Sequence, residues 1–391
     1  MSWRRSRLGI FAARLERRLA RSPSDLGARS RLAVAYATEL ARLRRSAGSC
    51  SELAVELDGL VTENCLRLLT AAPPPEVVRP LVDRLLGLTE VGLYPLIAQL
   101  VVEGLARHEE SLAEFETKGE LEERATMHHY ETALHLLKTV GRTDEAREVF
   151  EEAVGLRRGT RRPIGWTHLW QTPSVFVPGL RAATAWWEPR DLPLAQLLVE
   201  NAPMIREELR ELLAKGGELV TDPAYPRLTE AGEWDVITLY NHKEWDPIGC
   251  ALAPRTAALL RGALPGLCAG LPYIHSNTEE VCFFRMSPGT QVRLHSGGCN
   301  ARLNLSLGLL GCEGAGIRVA GETRAWSVDR VLAFDDSCDH TAWHQGERDR
   351  WVLLVGIMHP DLVASPEVFR DAGSFRTEFE VFGPEVWAGK K

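Results

Sequence analysis

Polar and apolar positions along this chain keep two different periods. Up to about residue 160 the apolar residues recur three to four positions apart, the spacing of amphipathic helices. Residues 130–156, YETALHLLKTVGRTDEAREVFEEAVGL, set two such stretches on either side of a Gly-Arg-Thr-Asp break. That predicts a helical hairpin whose second helix is capped by Thr143 or Asp144. The hairpin resembles a tetratricopeptide unit, and SPSDLGARSRLAVAYATELARL, residues 22–43, reads as a degenerate second copy. A repeat array needs about three units to bury a continuous core, so a plain helical bundle stands beside that reading. A last helix pair is predicted over 193–215, stopped by Gly216 and Gly217.

From Trp234 onward the period shortens. Segments WDVITLY, VCFFRMS, TQVRL, ARLNLSLGL, GIRVA, RAWSV, RVLAFDD and RWVLLVGIM are separated by Gly, Pro, Asp and Asn. Short strands at such spacing predict a β-sandwich or barrel. One segment alternates strictly: Asn300, Arg302, Asn304, Ser306 and Gly308 are polar or small, and Ala301, Leu303, Leu305, Leu307 and Leu309 are apolar. That is a strand with one face in a core and the other facing something polar. The expected fold is α+β, an all-helical region over 1–160 followed by a double-stranded β-helix, or jelly roll, over 161–391.

Composition narrows the function classes. The 391 residues are 45% hydrophobic and 25% charged, ordinary for a soluble globular chain. A net charge of -7 and a pI near 5.9 oppose binding to nucleic acid or an anionic surface by the chain as a whole. The eight cysteines form no CxxC pair and no metal-ligand spacing, which suits reduced thiols and a cytoplasmic protein. No segment has the continuous apolar length of a membrane span. The first 22 residues are Arg-rich, amphipathic and free of acids before Glu16, so a mitochondrial presequence is the alternative to a solvated first helix.

Among eleven histidines, His128 and His129 lie in a charged helical stretch and are expected to be exposed, and His359 follows the last long strand as a turn residue. His295 and His340 are better placed, at the entry of one strand and after another. Two histidines on neighbouring strands can share a metal, but non-haem iron oxygenases add a carboxylate two residues after the first, and here that position is Gly297. Ten residues beyond His340, Arg350 opens the last long strand. An arginine there is most often a solvated rim residue; its functional alternative is a guanidinium fork for a carboxylate.

The runs SPGTQVRLHSGGCNARLNLSLGL and GIRVAGETRAWSVDRVLAFDDSCDHTAWHQGERDRWVLLVGIMHPDL, with WQTPSVFVPGLRAATAWW upstream, resemble the aspartyl/asparaginyl β-hydroxylase family. The resemblance spans roughly residues 165–363. It implies an iron(II)- and 2-oxoglutarate-dependent dioxygenase using O2, with His295 and His340 as the metal ligands and a glycine where the carboxylate would be. It also implies that Arg350 partners the distal carboxylate of 2-oxoglutarate, and that Asn304 and Ser306 occupy cosubstrate positions.

Three positions depart from the family pattern. Asn304 stands where an arginine is usual, Ser306 where a histidine is usual, and Phe284 where a serine is usual. A charge-assisted contact to an anion is worth on the order of 1.5–3 kcal/mol, so its loss would weaken cosubstrate binding roughly tenfold or more. Arg302 is the candidate substitute, about 6–7 Å along the same strand face; Arg285 and Arg293 are further candidates. Asp335 and Asp336 read either as groups orienting His340 or as turn formers, and Trp343 and His344 as neighbours of the barrel mouth.

The expected function is hydroxylation of the β-carbon of Asp or Asn in a peptide or protein substrate, recruited by the helical region. The rivals are a non-catalytic jelly-roll scaffold with a decayed cosubstrate site, and a hydroxylase of a lipid or small molecule.

Overall fold

The computed structural model describes residues 3, 6–47, 52–88, 90–107, 120–157, 166–173, 177, 180, 184–214, 222–223, 228–241, 244–263 and 280–364. The chain divides into two compact units, Met1–Ile164 and Gly165–Lys391.

The first unit is helical: Arg7–Arg21, Leu26–Ala47, Glu52–Thr70, Pro75–Gly87, Tyr94–Val101 running into a π turn at Val102–Ala106, Glu120–Thr139 and Thr143–Arg157. Its core is built on fully buried Tyr36, Leu40, Leu57, Leu81, Leu85, Ile97, Leu100 and Tyr130. Ser6 caps the first helix through Gly9 N, and Asp25 caps the second through Ala28 N. Residues 22–43 are thus a capping turn and one long helix rather than a repeat with two helices of its own. The hairpin over 130–156 is present, turned by Gly141 at φ 74°, with Arg142 N donating to Leu137 O. Its second helix starts one residue earlier than a Thr143 cap requires and two earlier than an Asp144 cap: Arg142 O accepts the first helical bond, and Asp144 and Glu145 sit in the first turn against the helix dipole. Nothing in these helices confirms a tetratricopeptide repeat. His129, expected in solvent, is buried; the side chain of His128 lies outside the described residues.

The second unit contains two antiparallel sheets. Its strands are β1 Trp186–Trp187, β2 Asp222–Pro223, β3 Thr229–Ala231, β4 Trp234–Asn241, β5 Glu244–Trp245, β6 Glu280–Met286, β7 Gln291–His295, β8 Arg302–Leu310, β9 Ala315–Val319, β10 Glu322–Ala325, β11 Val331–Asp335, β12 His340–His344 and β13 Arg350–Met358. The larger sheet runs β1-β11-β8-β13-β6-β4-β2, with β5 on β4, and the smaller runs β10-β9-β12-β7-β3.

Alternation assigns the two faces of the larger sheet. Leu303, Leu305, Leu307 and Leu309 of β8 pack with Phe283, Leu353 and Val355 against Leu198, Ala202, Ile205 and Leu209 of the helix Pro193–Ala214. The opposite face meets the smaller sheet over Cys282, Phe284, Phe334 and Val352 from one side and Ala315, Ile317 and Val319 from the other. The polar face of β8 therefore points into the interior between the sheets, where Asn304 and Ser306 are buried.

Three local expectations change. The predicted helix pair over 193–215 is one continuous helix, Pro193–Ala214, with Pro203 inside it; Gly216 and Gly217 lie outside the described residues. RAWSV ends its strand at Ala325, and Trp326 turns its ring inward. His340 opens a strand of its own, β12, whose short HTAWH sequence has too few apolar residues to show a period.

Candidate metal and cosubstrate site

The two histidines are a cross-strand pair. His340 on β12 lies in register with His295 on β7, with ring centroids 4.1 Å apart. Each ring is oriented by its own backbone: His295 Nδ1 donates to Arg293 O at 2.8 Å, and His340 Nδ1 donates to Cys338 O at 2.8 Å. A carbonyl only accepts, so Nδ1 carries the proton in both rings and Nε2 presents a lone pair, the tautomer a metal requires. His340 is buried against Phe334, whose ring stands edge-on at 5.2 Å.

Beside the pair lies Asp336. Its backbone oxygen accepts from Gly297 N at 2.7 Å, and its carboxylate Oδ1 is 4.0 Å from His340 Nε2. A Cβ at position 297 would come within 2.2 Å of Asp336 Oδ2. The volume that a side chain two residues after His295 would need is thus filled by a carboxylate from the other histidine segment. Among the described residues no group of three or more His, Cys, Asp or Glu side chains is arranged to hold a metal ion. The donor set is two imidazoles with a carboxylate one step away, which fits a two-histidine metal centre.

Asn304 and Arg302 continue from Asp336. Asn304 Nδ2 donates to Asp336 Oδ1 at 2.5 Å, and Arg302 Nε donates to Asn304 Oδ1 at 2.9 Å. Arg302 is also paired with Glu280 at 2.6 Å, so its charge is already matched. Two residues along the same face, Ser306 Oγ accepts from Trp326 Nε1 at 2.9 Å.

Arg350 is the outstanding group. It is 2% exposed, its Nε has no hydrogen-bond partner, and no ion pair to it is found among the described residues. Its guanidinium lies over the Trp326 ring, 4.5 Å from the centroid. Burial pulls its pKa down to about 10, because a charge without a counter-ion costs several kcal/mol in a protein interior. The solvated-rim reading of Arg350 is excluded by that burial. A buried, flat, unpaired guanidinium fits one end of a carboxylate ligand.

The remaining candidates separate from the site. Arg285 is committed to Glu233, Asp235 and Asp349, and Arg293 is exposed. Phe284 is packed against Trp234 with centroids 5.5 Å apart. Asp335 accepts from Ser337 N, Ser337 Oγ and Gln171 Nε2, and burial pushes its carboxyl up to about 7. His344 is fully buried and donates through Nε2 to Arg348 O, a structural role. His359 is a buried turn residue: its Nδ1 accepts from Asp361 N, and its ring meets Trp187 edge-on. Part of the WQTPSVFVPGLRAATAWW segment, including Pro178 and Gly179, lies outside the described residues.

Sequence reading left Glu280 and Trp326 without a role. Trp326 had a signal in the GETRAW turn; Glu280 had none, because its partner stands on another strand.

Residues 199–360 match the model of the family described as aspartyl/asparaginyl beta-hydroxylase, so the resemblance read from the histidine segments holds over that region. A mouse protein named aspartyl/asparaginyl beta-hydroxylase is 32% identical over 237 residues, covering 56% of this chain and 30% of that one. A human aspartate beta-hydroxylase domain-containing protein 2 is 36% identical over 140 residues, covering 35% of this chain and 36% of that one. An ornithine lipid ester-linked acyl 2-hydroxylase of Rhizobium tropici is 26% identical over 48% of this chain and 71% of its own. The match takes in about a third of the length of the mouse and human proteins.

Proposed function

We propose, from the match of residues 199–360 to the aspartyl/asparaginyl β-hydroxylase family, that the second unit is an iron(II)- and 2-oxoglutarate-dependent dioxygenase folded as a double-stranded β-helix. Its expected reaction is hydroxylation of the β-carbon of Asp or Asn in a peptide or protein substrate, with the helical unit recruiting that substrate. The observation that carries this reading is the buried, unpaired Arg350 in the same interior as the His295–His340 pair.

His295 and His340 would hold the iron through Nε2, each kept in the required tautomer by its backbone carbonyl. When bound, the metal and 2-oxoglutarate supply the oxidising chemistry, which the protein orients rather than performs. Arg350 anchors the far carboxylate of the cosubstrate, with Trp326 fixing the plane of the guanidinium from one face. Asp336, whose Oδ1 lies 4.0 Å from His340 Nε2, would accept a hydrogen bond from a donor beside the histidine pair, while Asn304 holds its carboxylate still. Phe284, Phe334 and Val352 line the same interior with apolar surface, which would strengthen the Arg350 contact.

The test is calorimetric titration of 2-oxoglutarate into anaerobic protein loaded with manganese(II). Micromolar binding is expected in the wild type. His295→Ala and His340→Ala should abolish the metal-dependent part, and Arg350→Ala should raise Kd by about tenfold or more. Equal binding in all three variants would remove the assigned site.

Two other readings keep specific support. The acyl 2-hydroxylase relative favours a lipid substrate for the same chemistry. Engagement of Arg302 by Glu280 and of Ser306 by Trp326 favours a scaffold that no longer binds cosubstrate, and absence of binding up to millimolar concentration would select it.

A further inference from the structure

One buried ion pair has no role in the dioxygenase reading. Glu280, the first residue of β6, is 4% exposed and accepts from Arg302 Nη2 at 2.6 Å. The other edge of the same guanidinium donates through Nε to Asn304 and stands 3.6 Å from Asp336 Oδ2. Asp336 is the carboxylate 4.0 Å from His340 Nε2. Across the sheet, Gly356 on β13 is in register with Asn304, and a Cβ there would come within 2.8 Å of Arg302 Cζ and Nε. A missing side chain at 356 therefore makes the slot in which Arg302 lies between Glu280 and the histidine end of the interior.

The charges can be placed by region. At the histidine end Arg302 lies between two carboxylates, Glu280 at 2.6 Å and Asp336 at 3.6 Å. At the other end stands Arg350, with no acid against it among the described residues. Among the described residues of this interior, a ligand with two carboxylates thus finds Arg350 unpaired for one of them and Arg302 already engaged at the other end.

We propose that Glu280 is a specificity-determining residue: by pairing with Arg302 it withholds from the histidine end of the site the cation that a second carboxylate would use. The inference rests on the dioxygenase reading, in which the ligand is 2-oxoglutarate. It assigns the affinity for that dicarboxylate to Arg350 and the metal, with no contribution from a protein cation near the histidines. An ion pair released to a carboxylate ligand in a dry interior is a charge-assisted contact, worth roughly tenfold in affinity.

The experiment uses the full chain loaded with manganese(II), titrated anaerobically with 2-oxoglutarate. Glu280→Gln keeps the shape and one hydrogen bond to Arg302 while removing the charge, and should tighten binding at least fivefold. The double variant Glu280→Gln with Arg302→Gln should return it to the wild-type value. Thermal midpoints of both are measured first. A second measurement needs no variant: in metal-free wild-type protein, 2-oxoglutarate should bind no more than twofold better than 4-oxopentanoate, which keeps the keto group and far carboxylate but has a methyl in place of the near one.

Wild-type binding left unchanged or weakened by Glu280→Gln overturns this inference and leaves the dioxygenase reading standing. A tenfold preference for 2-oxoglutarate in metal-free wild type overturns it as well. No binding to the wild type with clear binding to Glu280→Gln supports it. No binding to either, with or without metal, overturns both.

Discussion

Arg350 shows at the scale of one residue how a site is held against stability. Among the described residues Arg350 has no counter-ion, and burying a lone guanidinium costs free energy in the ligand-free protein; even a buried ion pair is often replaced by apolar residues of similar volume at a gain of about 1–4 kcal/mol. Arg350→Met is therefore expected to raise the thermal midpoint of the ligand-free protein by a few degrees while removing 2-oxoglutarate binding. Scanning calorimetry beside the titration checks both, and a lowered midpoint would mean that the guanidinium has a partner. Asp335 offers a pH test. Its carboxyl, pushed up to about 7 by burial, binds its proton more tightly in the folded state than in the unfolded chain, where the value is near 4. Its contribution to stability is then greatest below about pH 4 and is lost as pH rises to about 7, a total of up to ~4 kcal/mol. Thermal midpoints at pH 5 and pH 8 should fall in the wild type and change much less in Asp335→Asn, in which Gln171 can turn its amide to match.

Elements explain what single residues do not. The loop after β7 and the turn after β11 are tied by Gly297 N to Asp336 O, and Asp336 fills the space above Gly297. Restoring a carboxylate at 297 should therefore fail: Gly297→Asp sets a side chain into Asp336 and is expected to weaken metal binding about tenfold or more, a loss on the scale of a charge-assisted contact. Combining it with Asp336→Gly vacates the space, and manganese(II) affinity should recover to the wild-type range or better. Titration of the three proteins with manganese(II) decides this, and an unimpaired single variant would show that Asp336 moves aside freely. The strands themselves were legible because β8 and β13 alternate or run apolar over nine residues each. Strand β12 was not, since five residues with histidines at both ends carry no period. The helix pair expected over 193–215 is one helix because Leu198, Ala202, Ile205 and Leu209 keep one face on the sheet across Pro203.

For the whole molecule, every residue of the candidate site lies in Gly165–Lys391. A chain lacking residues 1–164 is expected to bind manganese(II) and 2-oxoglutarate within about threefold of the full chain, and substrate recruitment is where the helical unit should matter. A loss of binding greater than tenfold in the titration would mean that the helical unit helps to form the site. No helix among the described residues is long and apolar enough to cross a membrane. Among the described residues, Cys65, Cys250, Cys282, Cys299, Cys312 and Cys338 are free thiols.

Local pattern was enough for the two periods, the helical first region and the strand-rich second, because burial on one face imposes its own spacing on a chain. It was also enough to single out His295, His340 and Arg350, whose spacing within short motifs carries the resemblance. It left Arg350 open between a rim residue and a buried anchor, since burial is a property of what packs around a residue and not of its neighbours in sequence. The same limit hid the filling of the Gly297 space by Asp336 and the pairing of Arg302 with Glu280 from β6. Those contacts join residues on different strands, 22 positions apart for Arg302 and Glu280, and only the folded sheets bring them within hydrogen-bonding distance.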